Sequence, residues 1–260
     1  MYSLTRHSVL IDPLKCIGCG LCVTDCVSSN IELKNGKASI RDYYCIFCGH
    51  CEAICPEYAV TITGFDDEVE EIEHETRLDP KELMRAIKTR RSIRSFERKS
   101  VPEDVLTEIL EAGRLSPTGA NAQNVIYYVI DNEKNTFERE AVRYFRYLKE
   151  SDDPFSARLK YKTITDEFFF RGAPLVIAVA SKMPIDAGIA AENMALMAEA
   201  NGLGVLFSGF FKVCCNACEP IRKRLNMPVG YQVVTVLVVG YPAVRYHRTV
   251  HREPASIVRF

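Results

Sequence analysis

The segment CIGCGLCVTDC, residues 16–26, decides the fold of the first part of the chain, because its four cysteines have the spacing C-x2-C-x2-C-x3-C. The same spacing returns in CIFCGHCEAIC, residues 45–55. Such a duplication predicts one small unit built from two copies. Short strand-like stretches flank the copies, and Asn35-Gly36 between two of them is typical of a type I′ hairpin turn.

The overall composition predicts a soluble globular protein: of 260 residues, 47% are hydrophobic and 26% are charged, and the net charge is −1. This balance gives no electrostatic reason to bind nucleic acid or an anionic membrane. The longest apolar run, residues 233–239, is too short to span a bilayer. The first residues, MYSLTRHSVLID, lack an apolar signal core, so we expect a cytoplasmic protein.

Most of the 11 cysteines lie in the repeat, whereas Cys214, Cys215 and Cys218 stand far from it. Because a reducing cytoplasm disfavours structural disulfides, metal ligation explains the repeated thiols better. A pair of zinc knuckles is an alternative, although zinc knuckles rarely have a third cysteine at this spacing. For the three distant cysteines we weigh a metal site completed by a partner against small buried hydrophobic side chains, and we favour the latter.

The rest of the chain follows an acidic segment, residues 66–75, which has no packing period and predicts a linker over residues 66–78. Asp79-Pro80 predicts a helix start, and Ser100 is expected to cap a helix over residues 102–114. Apolar runs predict strands at 125–130, 174–180 and 233–240, and a small-residue run predicts a helix at 186–201. The sequence therefore predicts an α+β fold, with one domain over residues 1–65 and a second over 79–260, a central sheet wrapped by helices.

The cysteine repeat resembles the two-cluster bacterial ferredoxins across residues 8–65. The resemblance implies a small ferredoxin-like domain of order βαββαβ that holds two [4Fe-4S] clusters. It also implies crossed ligand sets, in which Cys16, Cys19, Cys22 and Cys55 hold one cluster and Cys26, Cys45, Cys48 and Cys51 hold the other. One departure is that Val27 follows Cys26, where the family pattern has a proline such as Pro56.

Four further segments, in order, resemble the nitroreductase family of FMN enzymes across residues 80–260. They are RRSIRSF (90–96), SPTGANAQN (116–124), NGLGVLFSGF (201–210) and GYP (240–242) with a basic tail. Taken alone, clustered arginines suit a phosphate and an amide-rich turn suits a heterocycle, but arginines near a helix end are usually solvated. The GLG of residues 202–204 precedes an apolar stretch instead of opening a helix, which argues against a dinucleotide fingerprint.

This resemblance implies a homodimer with FMN at the subunit interface. The residues implied to line the phosphate and ribityl chain are Arg90, Arg91, Ser92 and Arg94. The residues that a partner subunit would supply are Pro117, Thr118, Gly119 and Asn121, with Gln123 beside them. The backbone of Ser208 and Gly209 would approach the flavin ring, and Arg252, with Arg248 as a second candidate, would return to the phosphate. The Pro-Trp that often follows the loop glutamine is Asn124-Val125 here, and the chain has no Trp.

Together the two resemblances predict an oxidoreductase that passes electrons from the clusters to FMN and then to a flat acceptor such as a nitroaromatic or a quinone. No catalytic side chain is expected, because the flavin performs the redox chemistry itself. The electron donor would be a ferredoxin or NAD(P)H. One alternative is a narrower reductase of the same fold, acting on an alkene or a halogenated aromatic. The other is an electron-transfer or redox-sensing protein without a small-molecule substrate.

Overall fold

The computed structural model describes residues 7–41, 44–67, 69–72 and 77–260, which form two compact units. The first, the cysteine-rich unit, comprises Met1–Thr76 and Thr118–Ala122. The second, the sheet unit, comprises Arg77–Pro117 and Gln123–Phe260. Residues 68 and 73–76 of the predicted linker, like residues 1–6 of the predicted first domain, lie outside the described residues. Within the described ranges, no helix combines the length and apolarity needed to cross a membrane.

The cysteine-rich unit has the predicted order βαββαβ. Its elements are β1 (Ser8–Ile11), α1 (Leu21–Asp25), β2 (Ile31–Lys34), β3 (Lys37–Ile40), α2 (His50–Ala53) and β4 (Val60–Thr63). Strand β1 pairs with β4 and β2 pairs with β3, both antiparallel. Between β2 and β3, Asn35 and Gly36 have φ values of 52° and 74°, as a type I′ turn requires, so the predicted hairpin is confirmed.

The sheet unit contains seven helices and four strands in its described residues. They are α3 (Pro80–Thr89), α4 (Glu103–Arg114), β5 (Ile126–Ile130), α5 (Lys134–Lys149), α6 (Ser156–Leu159), β6 (Leu175–Ser181), α7 (Pro184–Ala200), β7 (Gly204–Phe207), α8 (Gly209–Ala217), α9 (Glu219–Leu225) and β8 (Gln232–Gly240). The strands form one sheet of order β5-β6-β8-β7 with antiparallel neighbours. The predicted α+β class is confirmed.

Helices cover both faces of this sheet, which explains the continuous apolar runs in β6 and β8. Alternate β6 residues such as Ile177 pack with α4 and α7. Their neighbours, such as Ala178, pack with α5, α8 and α9. Because neither face of the central strands meets solvent, every residue of β6 is buried, and no polar alternation is needed.

Two predicted helix starts had different outcomes. Asp79 caps α3, because its Oδ1 accepts the N–H groups of Lys81 and Glu82 at 2.8 and 2.9 Å. The predicted cap of α4 by Ser100 is wrong, since the helix begins at Glu103 after Pro102. A proline disfavours helical geometry in the residue before it, so Val101 cannot open the helix next to Ser100. Pro102, with extended backbone (ψ 149°), takes the N-cap position instead.

Candidate functional site

The thiols of the repeat form two groups, each lining its own small cavity in the cysteine-rich unit. The first group is Cys16, Cys19, Cys22 and Cys55. Burial raises the pKa of Cys22, and the neighbouring charges of Cys55, Cys16 and Cys19 raise it further. Cys55 belongs to the second copy of the repeat, so the copies exchange their last thiols, as the ferredoxin resemblance implies.

The second group is Cys26, Cys45, Cys48 and Cys51. Burial raises the pKa of Cys51 to about 11; the N–H of Glu52 opposes this, while Cys45 and Cys48 add to it. Among the described residues, no group of three or more His, Cys, Asp or Glu side chains is spaced to hold a single metal ion. Raised thiol pKa values mean that binding a cluster must displace protons from these sulfurs.

Backbone N–H groups point at one sulfur of each copy in an equivalent way. Asn30 and Ala59, each four residues after Cys26 or Cys55, donate to those sulfurs at 3.3 Å in both cases. The residue just before each donor has a left-handed φ, of 51° in the first copy and 50° in the second. The two turns therefore match, and the missing proline after Cys26 leaves this N–H···S bond unchanged.

Glycine is required where the first cysteine loop meets the hairpin. A Cβ on Gly18 would lie 2.0 Å from the carbonyl oxygen of Gly36, and Gly18 also has a φ of +72°. Gly20 and Gly49 serve a different purpose, because they are the left-handed N-cap residues of α1 and α2. These glycines shape the backbone around both groups of thiols.

In the sheet unit, the arginine-rich segment 90–96 runs beside strand β7. The N–H of Ile93 donates to the carbonyl of Val205 at 3.1 Å, and Ser92 forms a parallel bridge to the same residue. Ile93 is buried while Arg94 is exposed, so the segment presents its polar side outward. A Cβ on Gly204 would lie 2.3 Å from Cγ1 of Ile93, which explains the glycine there.

This pairing brings Arg94 together with Ser208 and Gly209, and all three line one cleft of about 490 Å³. Arg90, Arg91 and Ser92 of the same segment do not line it. We call it the Arg94 cleft. Three more cations line it, and they are Arg158, Lys162 and Arg171. The cleft also receives the N-terminus of α8, where the first N–H groups have no partner within the helix. Sequence reasoning missed the three additional cations, because they belong to no motif. Arg158 lies in a short helix, Arg171 in a turn and Lys162 in a segment without helix or strand.

Arg90 and Arg91 each hold one buried donor that has no partner among the described residues. Arg90 Nη2 pairs with Glu192 Oε1 at 2.9 Å, but its Nη1 is buried without a hydrogen bond. Arg91 Nη1 donates to the Arg90 carbonyl, and its Nε is likewise buried and unpartnered. Burial raises the pKa of Glu199, which the charge of Arg90 opposes. Two guanidinium groups that each keep one buried donor unpaired fit an anion better than a fully paired structural role.

Ser208 is the N-cap of α8, and its hydroxyl accepts the N–H of Phe211 at 3.4 Å. Its own N–H donates to the carbonyl of Val236 at 2.8 Å. Gly209, by contrast, is exposed at the first position of α8. Of the two backbone N–H groups implied to approach a flavin ring, that of Gly209 is therefore the better placed to donate to a ligand.

The loop over residues 117–123 does not line the Arg94 cleft. Thr118, Gly119 and Asn121 group with the cysteine-rich unit, whereas Pro117 and Gln123 group with the sheet unit. Within the cysteine-rich unit, Asn121 Nδ2 donates to the carbonyls of Ile46 and Phe47 at 3.1 and 2.9 Å.

Two other sets of residues also stand apart from the cleft. Arg248 and Arg252 lie in the exposed segment 243–260, which has no helix or strand. Cys214, Cys215 and Cys218 are buried in the core of the sheet unit, as expected of small hydrophobic side chains. Burial raises the pKa of Cys215 strongly.

Comparison with known families identifies both parts of the chain. Residues 87–241, more than half of the protein, match the nitroreductase family. The chain belongs to the nitroreductase family. It is an oxidoreductase of that family, and its cysteine-rich residues 8–56 match the 4Fe-4S dicluster domain. A dicluster region therefore precedes the nitroreductase-family domain in one chain, and the resemblances found in the sequence are confirmed.

Individual relatives and solved structures agree with this placement. A Methanothermobacter thermautotrophicus protein named as an NADH dehydrogenase/NAD(P)H nitroreductase is 28% identical over 171 residues, covering 62% of this chain and 78% of that protein. A Staphylococcus aureus NADPH-dependent oxidoreductase is 30% identical over 165 residues, covering 60% of this chain and 63% of that protein. The crystal structure of a Bacteroides fragilis nitroreductase with bound FMN has a TM-score of 0.57 and 25% identity, covering 68% of this chain and 99% of that one. A Desulfitobacterium hafniense nitroreductase with bound FMN has a TM-score of 0.56 and 25% identity, covering 68% of this chain and 98% of that one.

Proposed function

We propose that this protein is an FMN-dependent reductase that takes electrons from two [4Fe-4S] clusters and delivers them to a flat acceptor such as a nitroaromatic or a quinone. The observation that carries the proposal is that one chain combines two crossed groups of four thiols with an arginine-lined cleft in a nitroreductase-family domain. When bound, FMN accepts electrons singly and releases them in pairs, which suits a junction between clusters and a two-electron acceptor.

The residues of the sheet unit fit FMN. Arg90, Arg91 and Arg94 would supply cations for a doubly charged phosphate, and each of the first two has one buried donor without a partner in the described part of the chain. Gly209, at the start of α8, offers its N–H to a carbonyl or ring nitrogen. Phenylalanine side chains such as Phe168 and Phe210 line the same cleft and offer apolar contact to a flat ring. The relatives from Bacteroides fragilis and Desulfitobacterium hafniense bind FMN, which supports the same cofactor here.

The thiols fit two clusters. Each group of four lines a cavity of its own, and the backbone donates N–H bonds to a sulfur in each, which stabilises thiolate charge and adjusts the reduction potential. We assign Cys16, Cys19, Cys22 and Cys55 to one cluster and Cys26, Cys45, Cys48 and Cys51 to the other. Because the ligand sets are crossed, the clusters are held close enough for an electron to pass between them.

We further propose a ferredoxin domain over residues 1–65, a linker over 66–78 and a flavin domain over 79–260. The working form would be a cytoplasmic homodimer with FMN at the interface. Helix α3 supports a dimer, because it exposes the apolar side chains of Leu83, Met84 and Ile87. In the dimer, Pro117, Thr118, Gly119 and Asn121, with Gln123 beside them, would come from the partner subunit, and Arg252, with Arg248 as a second candidate, would return to the phosphate. The donor would be a reduced ferredoxin or NAD(P)H.

The test is anaerobic reduction of the purified protein with NADH, NADPH and reduced ferredoxin in turn, followed by addition of a nitroaromatic. We expect one donor to bleach both the iron–sulfur and the flavin absorbance, and the acceptor to restore it over many turnovers. A protein that exchanges electrons only with other proteins would contradict a reductase and indicate the electron-transfer alternative. A protein that retains no flavin would contradict the proposal as a whole.

A further inference from the structure

A buried carboxylate in the sheet unit has no place in the function proposed above. Glu138 lies on α5 with 8% of its surface exposed, beside buried residues of the same helix such as Ala141. Its Oε1 accepts the N–H of Phe169 at 2.7 Å, and its Oε2 accepts the N–H of Phe170 at 3.0 Å. These are charge-assisted bonds to a turn that has no regular secondary structure of its own.

The turn that Glu138 holds is a shared wall between two cavities. On one side, Phe168, Phe169 and Arg171 line the Arg94 cleft. On the other side, Phe170 and Glu138 itself line a larger cavity of about 940 Å³. The carboxylate therefore binds the wall of the Arg94 cleft from the side of the larger cavity, and it does not line the Arg94 cleft itself.

Aromatic contacts connect this wall to the start of α8. Phe168 stacks on Phe210 with ring centroids 5.8 Å apart, and Phe170 meets Phe211 edge-on at 4.6 Å. Phe210 and Phe211 directly follow Gly209, whose N–H faces the cleft in the proposed function. A shift of the turn would therefore be transmitted through closely packed rings to the backbone beside the proposed flavin.

We propose that Glu138 is a positioning residue for the flavin cleft, whose carboxylate fixes the Phe168–Phe170 wall through two N–H bonds and thereby tightens FMN binding. This inference rests on the proposed FMN site. It predicts that weakening either N–H bond loosens the wall and lowers the affinity for FMN, although Glu138 does not touch the cofactor.

The two N–H bonds to the Glu138 carboxylate depend on pH, because they are strongest when the carboxylate is ionised. Burial raises the pKa of Glu138 to about 7; the N–H groups of Phe169 and Phe170 oppose this, Glu167 adds to it and Lys134 opposes it. Cys214 faces Glu138 from α8. The other charged groups that line the larger cavity are Arg98, Lys99, Arg139, Arg143, Arg146 and Asp166. Above about pH 7 the ionised carboxylate accepts both N–H bonds, and below it a proton weakens one of them.

The pH dependence of the free energy of unfolding is opposite in sign to that of FMN binding. Because the folded pKa lies above the usual value, the contribution of Glu138 to the free energy of unfolding is present at low pH and is lost as the pH rises through about 7. The ionised carboxylate therefore tightens FMN binding while it lowers the free energy of unfolding, so a measurement of stability alone would not report its role at the cleft.

The experiment measures the Kd for FMN of the full chain by fluorescence quenching between about pH 6 and about pH 8, for the wild type, Glu138→Gln and Glu140→Gln. Glu140 is a matched control two residues away, paired with Arg143 on the same helix. We expect wild-type affinity to fall about tenfold as the pH drops through 7. Glu138→Gln should bind about tenfold more weakly at pH 8 and match the wild type at pH 6. Glu140→Gln should follow the wild type.

Identical profiles for Glu138→Gln and the wild type would overturn the inference alone, whereas a wild type that binds no FMN at any pH would overturn the proposed function with it. If Glu138→Gln does not fold, Glu138→Asp replaces it, because the shorter side chain keeps the charge but cannot reach both N–H groups. We expect weaker FMN binding at every pH for this variant. Wild-type affinity in Glu138→Asp would contradict the role of the two bonds.

Discussion

The two units of the molecule are stabilised by different means. In the cysteine-rich unit, the buried hydrophobic residues among those described are Cys16, Cys22, Ile31, Ala59 and Val60, so two of them are proposed cluster ligands. The sheet unit buries apolar side chains on both faces of a four-stranded sheet. A unit this small rarely has enough core to fold without help, whereas the sheet unit does. We therefore expect the first unit to depend on its clusters and the second to fold before it binds FMN.

The largest effect that separates the units should come from Cys48→Ala, which removes one ligand of the second thiol group. We expect loss of one cluster and so of about half of the iron, with FMN content unchanged because the sheet unit keeps its own core. Iron and flavin assays on the purified protein measure both. Cys218→Ala is the control, since that thiol lies in the sheet core and should leave the iron content at the wild-type level. Full iron content in Cys48→Ala would show that the ligand set is wrong.

A smaller effect, confined to the cysteine-rich unit, is expected from Gly18→Ala. The new Cβ would lie 2.0 Å from the Gly36 carbonyl oxygen in a backbone of positive φ, which should cost about 3 kcal/mol in the free energy of unfolding of that unit. Gly36→Ala also places a side chain at a positive φ, but no described residue lies within 4 Å of the new Cβ, so it should cost about 1 kcal/mol. Loss of iron–sulfur absorbance during denaturant titration reports both. Equal effects of the two substitutions would contradict the close approach.

Arg90→Ala tests the sheet unit instead, because it should change FMN binding and leave the cysteine-rich unit unaffected. Loss of a charge-assisted contact to the phosphate should weaken FMN binding by about 2 kcal/mol, or about 30-fold in Kd, with the iron content unchanged. Equilibrium dialysis with FMN measures the change. Arg98→Ala removes an exposed arginine that pairs with Glu167 and should leave the Kd near the wild-type value. If Arg90→Ala retained FMN as well as Arg98→Ala does, Arg90 would have no contact with the phosphate.

Local patterns sufficed to predict most of the fold. The cysteine spacing, the Asn35-Gly36 turn and the Asp79 cap each act over a few residues, so they can be recognised without tertiary information. The α4 start was missed because Ser100 is a good cap in isolation, while the extended Pro102 moves the first helical residue to Glu103. Capping propensity alone could not decide between a helix capped by Ser100 and a helix that begins after Pro102.

The candidate site was predictable only where the chain carries a motif. Arg94, Ser208 and Gly209 belong to recognisable segments and meet in one cleft because segment 90–96 pairs with β7. Arg158 and Arg171 reach the same cleft from turns and a short helix, which tertiary packing alone determines. The grouping of Thr118–Ala122 with the cysteine-rich unit depends on long-range contacts that no local pattern encodes.

Glu138 did leave a signal in the sequence. It stands three and four residues before Ala141 and Val142, on the apolar face of α5, where a charged side chain is unusual. An ionisable residue on a buried helical face indicates a partner elsewhere in the fold, but it does not identify that partner. Only the structure reveals the N–H groups of Phe169 and Phe170.

The central claim is that one chain carries two crossed clusters and a flavin. It is tested most directly by counting iron, acid-labile sulfide and FMN in protein purified without oxygen. Our account predicts about eight iron and eight sulfide per chain with about one FMN, and reduction of all three centres by a single low-potential donor. Zinc in place of iron, or a nitroreductase-family domain that cannot be loaded with FMN, would contradict it.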